Sequence, residues 1–268
     1  GFDDWLSKCK RQQRVGWVIR GAQSRRLRAV TILKATESNP CLGDATRLKV
    51  STFKVAEDSR GYRYGELLLQ HIFNYAFDNE IDTLYLTVFP KFEGLIQLLE
   101  DFGFYESASR DTGELEMEKK VGPSAAEDWS TPFDFNVRYG PPAICPDPER
   151  LFVIPIQPKY QDDLFPALAL QQRLLSTPTR FPYANAIRKA YLSHSNTKKL
   201  SSGDTIFFYR SKDIKAVNTV GVVQDIRRST SAENIAQFVA RGTVYSYREI
   251  EQKCDEREVL AINFRHAY

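Results

Sequence analysis

The stretch from Lys54 to Leu69, KVAEDSRGYRYGELLL, constrains this chain more than any other. It reads as the end of a strand, a short charged loop and the start of a helix. Gly61 and Gly65 stand four apart, with Arg60 and Arg63 beside and between them. The first N–H groups of a helix have no partner inside it, and the helix dipole favours negative charge there, so a loop of this kind is suited to an anion. The two glycines let backbone approach that anion without a Cβ in the way. The arginines add charge-assisted contacts. The sequence holds neither G-x-x-x-x-G-K-[ST] nor G-x-G-x-x-G, so this is not one of the two familiar nucleotide loops.

The 268 residues suffice for two ordinary domains, and 42% hydrophobic with 12% aromatic residues is enough to bury a core. No apolar run approaches the roughly 20 residues that span a bilayer, and GFDDWLSKCK lacks the apolar stretch of a signal peptide. Cys9, Cys41, Cys145 and Cys254 are scattered, as are His71, His194 and His266. That pattern argues against a metal site and for free thiols in a reducing cytoplasm. The one methionine is Met117, so the sequence does not start at an initiator, and further elements are expected upstream. Net charge is asymmetric: −2 over residues 1–130 and +5 over 131–268.

The hydrophobic pattern gives an α/β (α+β) order for the first half. A helix over FDDWLSKCKRQQ is followed by strands GWVIRG and LRAVTILKAT, joined by a turn with Gly21 and Ser24, and by the loop ESNPCLGD. A longer strand RLKVSTFKV leads to the loop and to a helix from about Gly65 to Asn79, with Leu68, Ile72, Tyr75 and Ala76 as its apolar face. IDTLYLTVF reads as a strand buried on both sides, KFEGLIQLLEDFGF as a helix stopped by Gly103, and FYESASRDTGELEMEKKV as a hairpin turning at Asp111, Thr112 and Gly113.

This order, with RGYRYGELLL, resembles the GNAT family of acetyl-coenzyme A-dependent acetyltransferases, whose [Q/R]-x-x-G-x-[G/A] loop wraps the coenzyme A pyrophosphate. Arg60 holds the first place and Gly65 the last, while Arg63 stands where the central glycine is usual. LLEDFGF is similar to the family's L-Y-E-K-x-G-F. The resemblance covers about Phe2 to Val121. It implies acetyl-CoA as cofactor, a mixed sheet with flanking helices, and contacts from Arg60, Gly61, Tyr62, Arg63, Tyr64, Gly65 and Glu66. It also implies that the strand before the loop splays from its neighbour, so that N–H groups near Phe53 and Val55 meet the pantetheine arm.

The departures lie in the catalytic groups. The family's proton-donating tyrosine falls on Leu99, an asparagine common near the start of the same helix falls on Phe92, and a glutamate sometimes found on the long strand falls on Lys49. Tyr105 and Tyr85 are the candidate substitutes, and Ser51 and Thr52 face either the substrate or the sheet. The whole chain resembles the GNAT and C-terminal portion of larger bacterial proteins that begin with a PIN nuclease-like domain.

Residues 122–148, rich in Pro, Gly and Ser, read as a linker between a domain at 1–121 and one at 149–268. Beyond it come a strand RLFVIPIQ, a short helix or loop at YQDDLFPAL, a helix-like segment NAIRKAYLSHS bounded by Pro182, strands GDTIFFYRS and AVNTVGVVQDIRRS, a helix SAENIAQFVAR capped by Ser231, a helix SYREIEQKC and a final strand EVLAINFRHAY. GD-x-I-x-F-Y followed by VGVV resembles the ASCH, EVE and PUA-like small β-barrels, which implies RNA or modified bases as ligands. Arg188, Lys189, His194, Lys198, Lys199, Tyr209, Arg210, Lys212 and Lys215 gather cations and flat rings in one region of chain, the combination that RNA recognition uses. A solvated basic face is the alternative.

Two readings stay open. One is an acetyl-CoA-dependent N-acetyltransferase, with the basic half choosing an RNA-linked acceptor such as a tRNA or a ribonucleoprotein. The other is a non-catalytic, coenzyme-binding or scaffolding GNAT domain in a nucleic-acid-binding or toxin–antitoxin-type regulatory protein.

Overall fold

The alternation of apolar residues along the long strand sets the first layer. In the computed structural model, which describes residues 2–21, 26–35, 46–122, 129–148, 150–166 and 181–267, Leu48 and Val50 are buried on one face of β3 (Arg47–Val55). Ser24, Cys41, the ESNPCLGD loop and residues 123–128 of the linker lie outside the described residues. With β1 (Gly16–Arg20), β2 (Leu27–Ala35), β4 (Thr83–Val88), β5 (Tyr105–Ser109) and β6 (Leu115–Lys120), β3 forms a six-stranded sheet in the order β1-β2-β3-β4-β6-β5. Only β3 and β4 run parallel; the other pairs are antiparallel. This is the mixed sheet expected from the sequence.

Helices α1 (Phe2–Arg11), α2 (Tyr64–Asp78) and α3 (Glu93–Asp101) stand where helical periodicity puts them. Leu69, Ile72, Phe73 and Ala76 of α2 and Leu99 of α3 share one core with Leu48, Val50, Leu84, Leu86, Val88 and Met117 of the sheet. Each of these side chains larger than alanine is worth about 1.5–3 kcal/mol when fully buried. β4 is buried on both faces, as its unbroken apolar run implies.

The linker holds a helix that the composition hid. α4 (Pro132–Tyr139) has Thr131 accepting from the Asp134 N–H as its cap and Pro132 in its first turn. Its C-terminal carbonyls at Val137 and Arg138 take the buried Lys119 ammonium at 3.0 and 2.9 Å, a cation at the negative end of the dipole. Burial holds the Lys119 pKa well below the ordinary lysine value, and Arg265 pushes it the same way. Gly103 ends α3 at φ +80°, and a Cβ there would collide with the Val137 carbonyl oxygen. Gly103→Ala is therefore expected to cost about 2 kcal/mol, from left-handed backbone and overpacking together, read as a lower urea midpoint at unchanged slope.

The second half is built on β7 (Leu151–Ile156), β8 (Arg188–Ser193), β9 (Thr205–Arg210), β10 (Ala216–Ser229) and β11 (Val259–His266), in the order β7-β9-β10-β11-β8. β7 and β9 run parallel; the remaining pairs are antiparallel. Among the described residues no ladder joins β7 to β8, so the expected small barrel is seen as a five-stranded sheet with two edges. Those edges approach each other: the Tyr191 hydroxyl of β8 donates to the Pro155 carbonyl of β7 at 3.0 Å. Short helices α5 (Pro158–Leu164) and α6 (Pro182–Asn185) precede β8. α7 (Ala232–Val239) is capped by Ser231, and α8 (Tyr247–Glu256) by a reciprocal Ser246–Glu249 box, so both expected helices form.

The helix expected over NAIRKAYLSHS is a strand instead. β8 pairs with β11 from Arg188 opposite Arg265 to Ser193 opposite Leu260. Ala190 and Leu192 point to the core under α7 and α8, and Tyr191 to the opposite core. The segment's local helix preference yields to a two-sided burial that only alternation satisfies.

Candidate functional site

The parallel pairing of β3 with β4 is short. It joins Arg47, Leu48 and Lys49 to Thr83, Leu84 and Tyr85 and goes no further, although β3 continues to Val55 and β4 to Val88. The cause is local. Against β2, Thr52 faces Ile32 and Val50 faces Leu33, so Ser51 is the extra residue of a β-bulge. A bulge bends its strand and sharpens the twist, and here it turns β3 away from β4. The Ser51 hydroxyl and the Ile32 carbonyl, 3.0 Å apart, close the bulge on the β2 side. Ala56 N–H donates to Arg28 of the β2 side. Alternation along an extended strand then aims the N–H groups of Phe53 and Val55 at the opposite edge, into the opening.

The opening leads to the loop. A 3₁₀ turn at Glu57–Ser59 hands over to Arg60, Gly61 at φ +87° and Arg63 at φ +56°. Arg63 takes a left-handed backbone, at a cost of about 1–2 kcal/mol. The first backbone bond into α2 is Leu67 N–H to the Arg63 carbonyl. The N–H groups of Gly61, Tyr62, Arg63, Gly65 and Glu66 thus lie outside the helix's own ladder, beside an exposed Gly61 and Tyr62. Tyr62 and Tyr64 stack at 5.7 Å. Gly65 faces inward: a Cβ on it would press on Leu98 of α3, with the Phe53 ring beyond. Its smallness serves the close approach of α2, α3 and β3 rather than the anion itself.

Two loop residues expected on the anion are engaged elsewhere. Glu66 is buried, and its Oε2 accepts from the N–H groups of Ile187 and Arg188 at 2.9 and 3.0 Å. Its Oε1 accepts from the guanidinium groups of Arg63 at 2.9 Å and Arg188 at 3.1 Å. Arg188 also reaches Asp101 at 2.7 Å, Asn185 donates to the Tyr62 carbonyl at 2.9 Å, and Ile187 sits in the first core. The second half is thereby clasped to the base of the loop. Arg60 remains exposed, and its ion pair among the described residues is a 3.7 Å surface one to Glu57.

The two tyrosines share one polar face of the sheet. Tyr85 pairs laterally with Lys49 on one side and Glu118 on the other, and Glu118 pairs with Tyr105. Arg47 lies 4.4 Å over the Tyr85 ring and donates to Glu116 and Glu118, each at 3.0 Å. Arg110 also pairs with Glu116. Burial raises the Glu116 pKa, but the hydrogen bonds from Arg110 and Arg47 more than reverse this and hold it below the usual value. Tyr85 stands at the root of the opening; Tyr105 is exposed on the edge strand two places away. Tyr105→Phe should leave coenzyme binding and turnover within about twofold, as exposed substitutions generally do. Leu99, in the place of the usual tyrosine, is buried in the core and reaches no opening.

The cationic set of the second half does not stay together. Lys189 is buried and donates to the Tyr183 carbonyl at 2.7 Å, and Arg188 belongs to the clasp. Arg210 is held by Asp162 and Asp213. His194 lies 3.0 Å from the Lys253 carbonyl oxygen. Lys198, Lys199 and Lys212 are exposed, and Tyr209 is half-buried. Sequence reasoning missed the Arg47–Glu116–Glu118 network, whose signal was the alternation of glutamates in LEMEKK, and it missed Asn185.

Residues 9–104 match the model of the acetyltransferase (GNAT) family. This part of the chain is a GNAT domain. A search among curated proteins found no match. Solved structures similar to part of this chain include the NatC complex bound to Gag peptide and CoA, at 10% identity and TM-score 0.40 over 46% of this chain and 80% of that one. Others are the ribosomal-protein-S18-alanine N-acetyltransferase of Escherichia coli, at 15% and 0.37 over 47% and 81%, and a GNAT family acetyltransferase from Elizabethkingia anophelis with acetyl-CoA bound, at 11% and 0.35 over 44% and 82%. Likeness at this level decides nothing about the GNAT domain's substrate.

Proposed function

We propose that the first half binds acetyl-CoA and transfers its acetyl group to an amine. The observation that carries this reading is the opening between β3 and β4, followed by a loop in which the N–H groups of Gly61, Tyr62, Arg63, Gly65 and Glu66 have no backbone acceptor among the described residues. The residues fit the coenzyme. The N–H groups of Gly61, Tyr62, Arg63, Gly65 and Glu66 suit a pyrophosphate, and the aligned N–H groups of Phe53 and Val55 suit the amides of a pantetheine arm as an added strand would. When bound, the coenzyme supplies a thioester carbonyl open to attack by an amine.

The chain's own contribution is chiefly positioning, since fixing two reactants removes much of a bimolecular barrier. The polar face beside Tyr85 receives the acceptor, and Glu116 and Glu118 draw an ammonium to it. Glu116, kept ionised by Arg110 and Arg47, is a weak base. Tyr85 stands opposite Lys49 at the last rung before the opening, and with Leu99 buried it is the candidate proton donor to a leaving thiolate. Tyr85→Phe is expected to lower turnover with coenzyme affinity unchanged, which thiol-release kinetics and calorimetry separate.

The alternative, a domain that binds coenzyme without catalysis, is favoured by Leu99 and Lys49. Calorimetric binding of CoA with no thiol release from acetyl-CoA across a panel of amines would establish it. Absence of binding by the full chain at low salt would refute both readings. With Arg188 and Lys189 drawn into the interior and Arg210 paired, no observation favours a polyanion-binding role for the second half, and none is proposed.

A further inference from the structure

We infer that Arg241, carried by the second half, is a phosphate-binding residue of the coenzyme site, so that the site is complete only with both halves in place. This rests on the reading of the loop given above.

Arg241 lies on the turn that follows α7 and is exposed. Its guanidinium is packed over the loop: a Cβ on Gly61 would come within 2.8 Å of Arg241 Nη1. Gly61 thus gives room to a cation from the other half as well as to the chain's own turn. The turn is anchored. The Gly242 carbonyl accepts from Ala190 N–H at 2.8 Å, the Gly242 N–H donates to Val239, and two residues before Ala190 the N–H of Arg188 goes to Glu66. A chain of hydrogen bonds runs from the Glu66 carboxylate through the backbone of β8 to the turn, and it fixes the backbone that carries Arg241 beside the loop.

Partners separate Arg241 from the other arginines around the loop. Arg26 and Arg28 pair with Asp58, Arg60 with Glu57, Arg63 with Glu66, and Arg188 with Glu66 and Asp101. Arg241 makes no hydrogen bond or ion pair among the described residues. An unneutralised guanidinium held against a fan of free N–H groups is matched by an oxyanion with several acceptor oxygens, and phosphate is the group that fills both. The contact that the sequence assigned to Arg63 passes to Arg241, because Arg63 is spent on Glu66.

The test is titration of CoA and of 3′-dephospho-CoA into the full chain, into Arg241→Ala and into Arg241→Lys, with melting curves for each. A charge-assisted contact of this kind is worth about 1.5–3 kcal/mol, so Arg241→Ala should weaken CoA roughly 10- to 150-fold at an unchanged melting temperature, with Arg241→Lys between. An equal loss for dephospho-CoA assigns the contact to the pyrophosphate; a loss confined to CoA assigns it to the 3′-phosphate. Arg241→Ala binding CoA as tightly as the unaltered chain overturns the inference and leaves the reading of the loop standing. No binding by the unaltered chain removes that reading, and the inference with it.

Discussion

Glu66→Ala is expected to cost the chain about 3–5 kcal/mol, the loss that follows when one member of a buried ion pair is removed and the other stays behind. The Glu66 side chain is 4% exposed and accepts from two guanidinium groups and two backbone N–H groups. Alanine leaves Arg63 with no side-chain acceptor among the described residues and takes one from Arg188, which keeps Asp101. It also strands the N–H groups of Ile187 and Arg188, each penalised for burial without a partner. Glu66→Gln retains one oxygen and should lose less. Since a whole domain has only about 5–15 kcal/mol to spare, the alanine variant should begin to open at the joint at a much lower urea concentration. Denaturation followed by Trp fluorescence and circular dichroism measures it, and superimposable curves for Glu66→Ala and the unaltered chain would refute the clasp.

The second large effect is a pH dependence. Burial lowers the Lys189 ammonium from 10.5 to about 7, with Glu66 opposing and Arg63 assisting. Below pH 7 folded and unfolded chains both hold the proton, and the buried charge penalises folding in full. Between pH 7 and 10.5 the unfolded chain binds a proton that the folded chain does not, so stability rises with pH, by about 1.4 kcal/mol per unit. Lys189→Met keeps the stem beside Phe165 and removes the charge. The variant should gain relative to the parent at pH 6.5, and the advantage should shrink steadily toward pH 9.5. Parallel stability curves across that range would show that Lys189 does not titrate there.

The GNAT half was largely legible because its elements are long, periodic and punctuated. Gly103 marks a helix end, and the apolar run at Thr83–Val88 marks a strand with two covered faces. The splay was implied by family resemblance, but its cause, the extra Ser51 in the ladder with β2, depends on how two strands register, which no single strand's pattern states. α4 was hidden by prolines and glycines that set loop composition, although Thr131, Pro132 and Asp134 carry the signals of a helix start. β8 was misread because Ala, Lys, Arg and Leu favour a helix locally, while pairing with β11 decides the outcome.

The candidate site was legible in its backbone and not in its side chains. Gly61 follows from the strand–loop–helix pattern, while Phe53 and Val55 came only with the family resemblance. Glu66 was assigned to the coenzyme because it stands in the first turn of α2; that its carboxylate serves Arg188 requires knowing that residues far along the chain return to it. The basic stretch from Arg188 to Lys215 was read as one surface because it is one stretch of sequence. A strand alternates its side chains between interior and surface, so half of such a cluster is withdrawn as soon as it becomes β-structure.

Ile187 completes a core whose other buried members, among the described residues, all lie at or before Val121. On the ribosome, where domains generally form from the N-terminus as they emerge, the first sheet must therefore wait, with a gap in its packing, while α4, α5 and α6 are synthesised. The nascent GNAT half is committed to its neighbour before it is finished, and the order of synthesis, rather than the boundary between two compositions, decides when it closes.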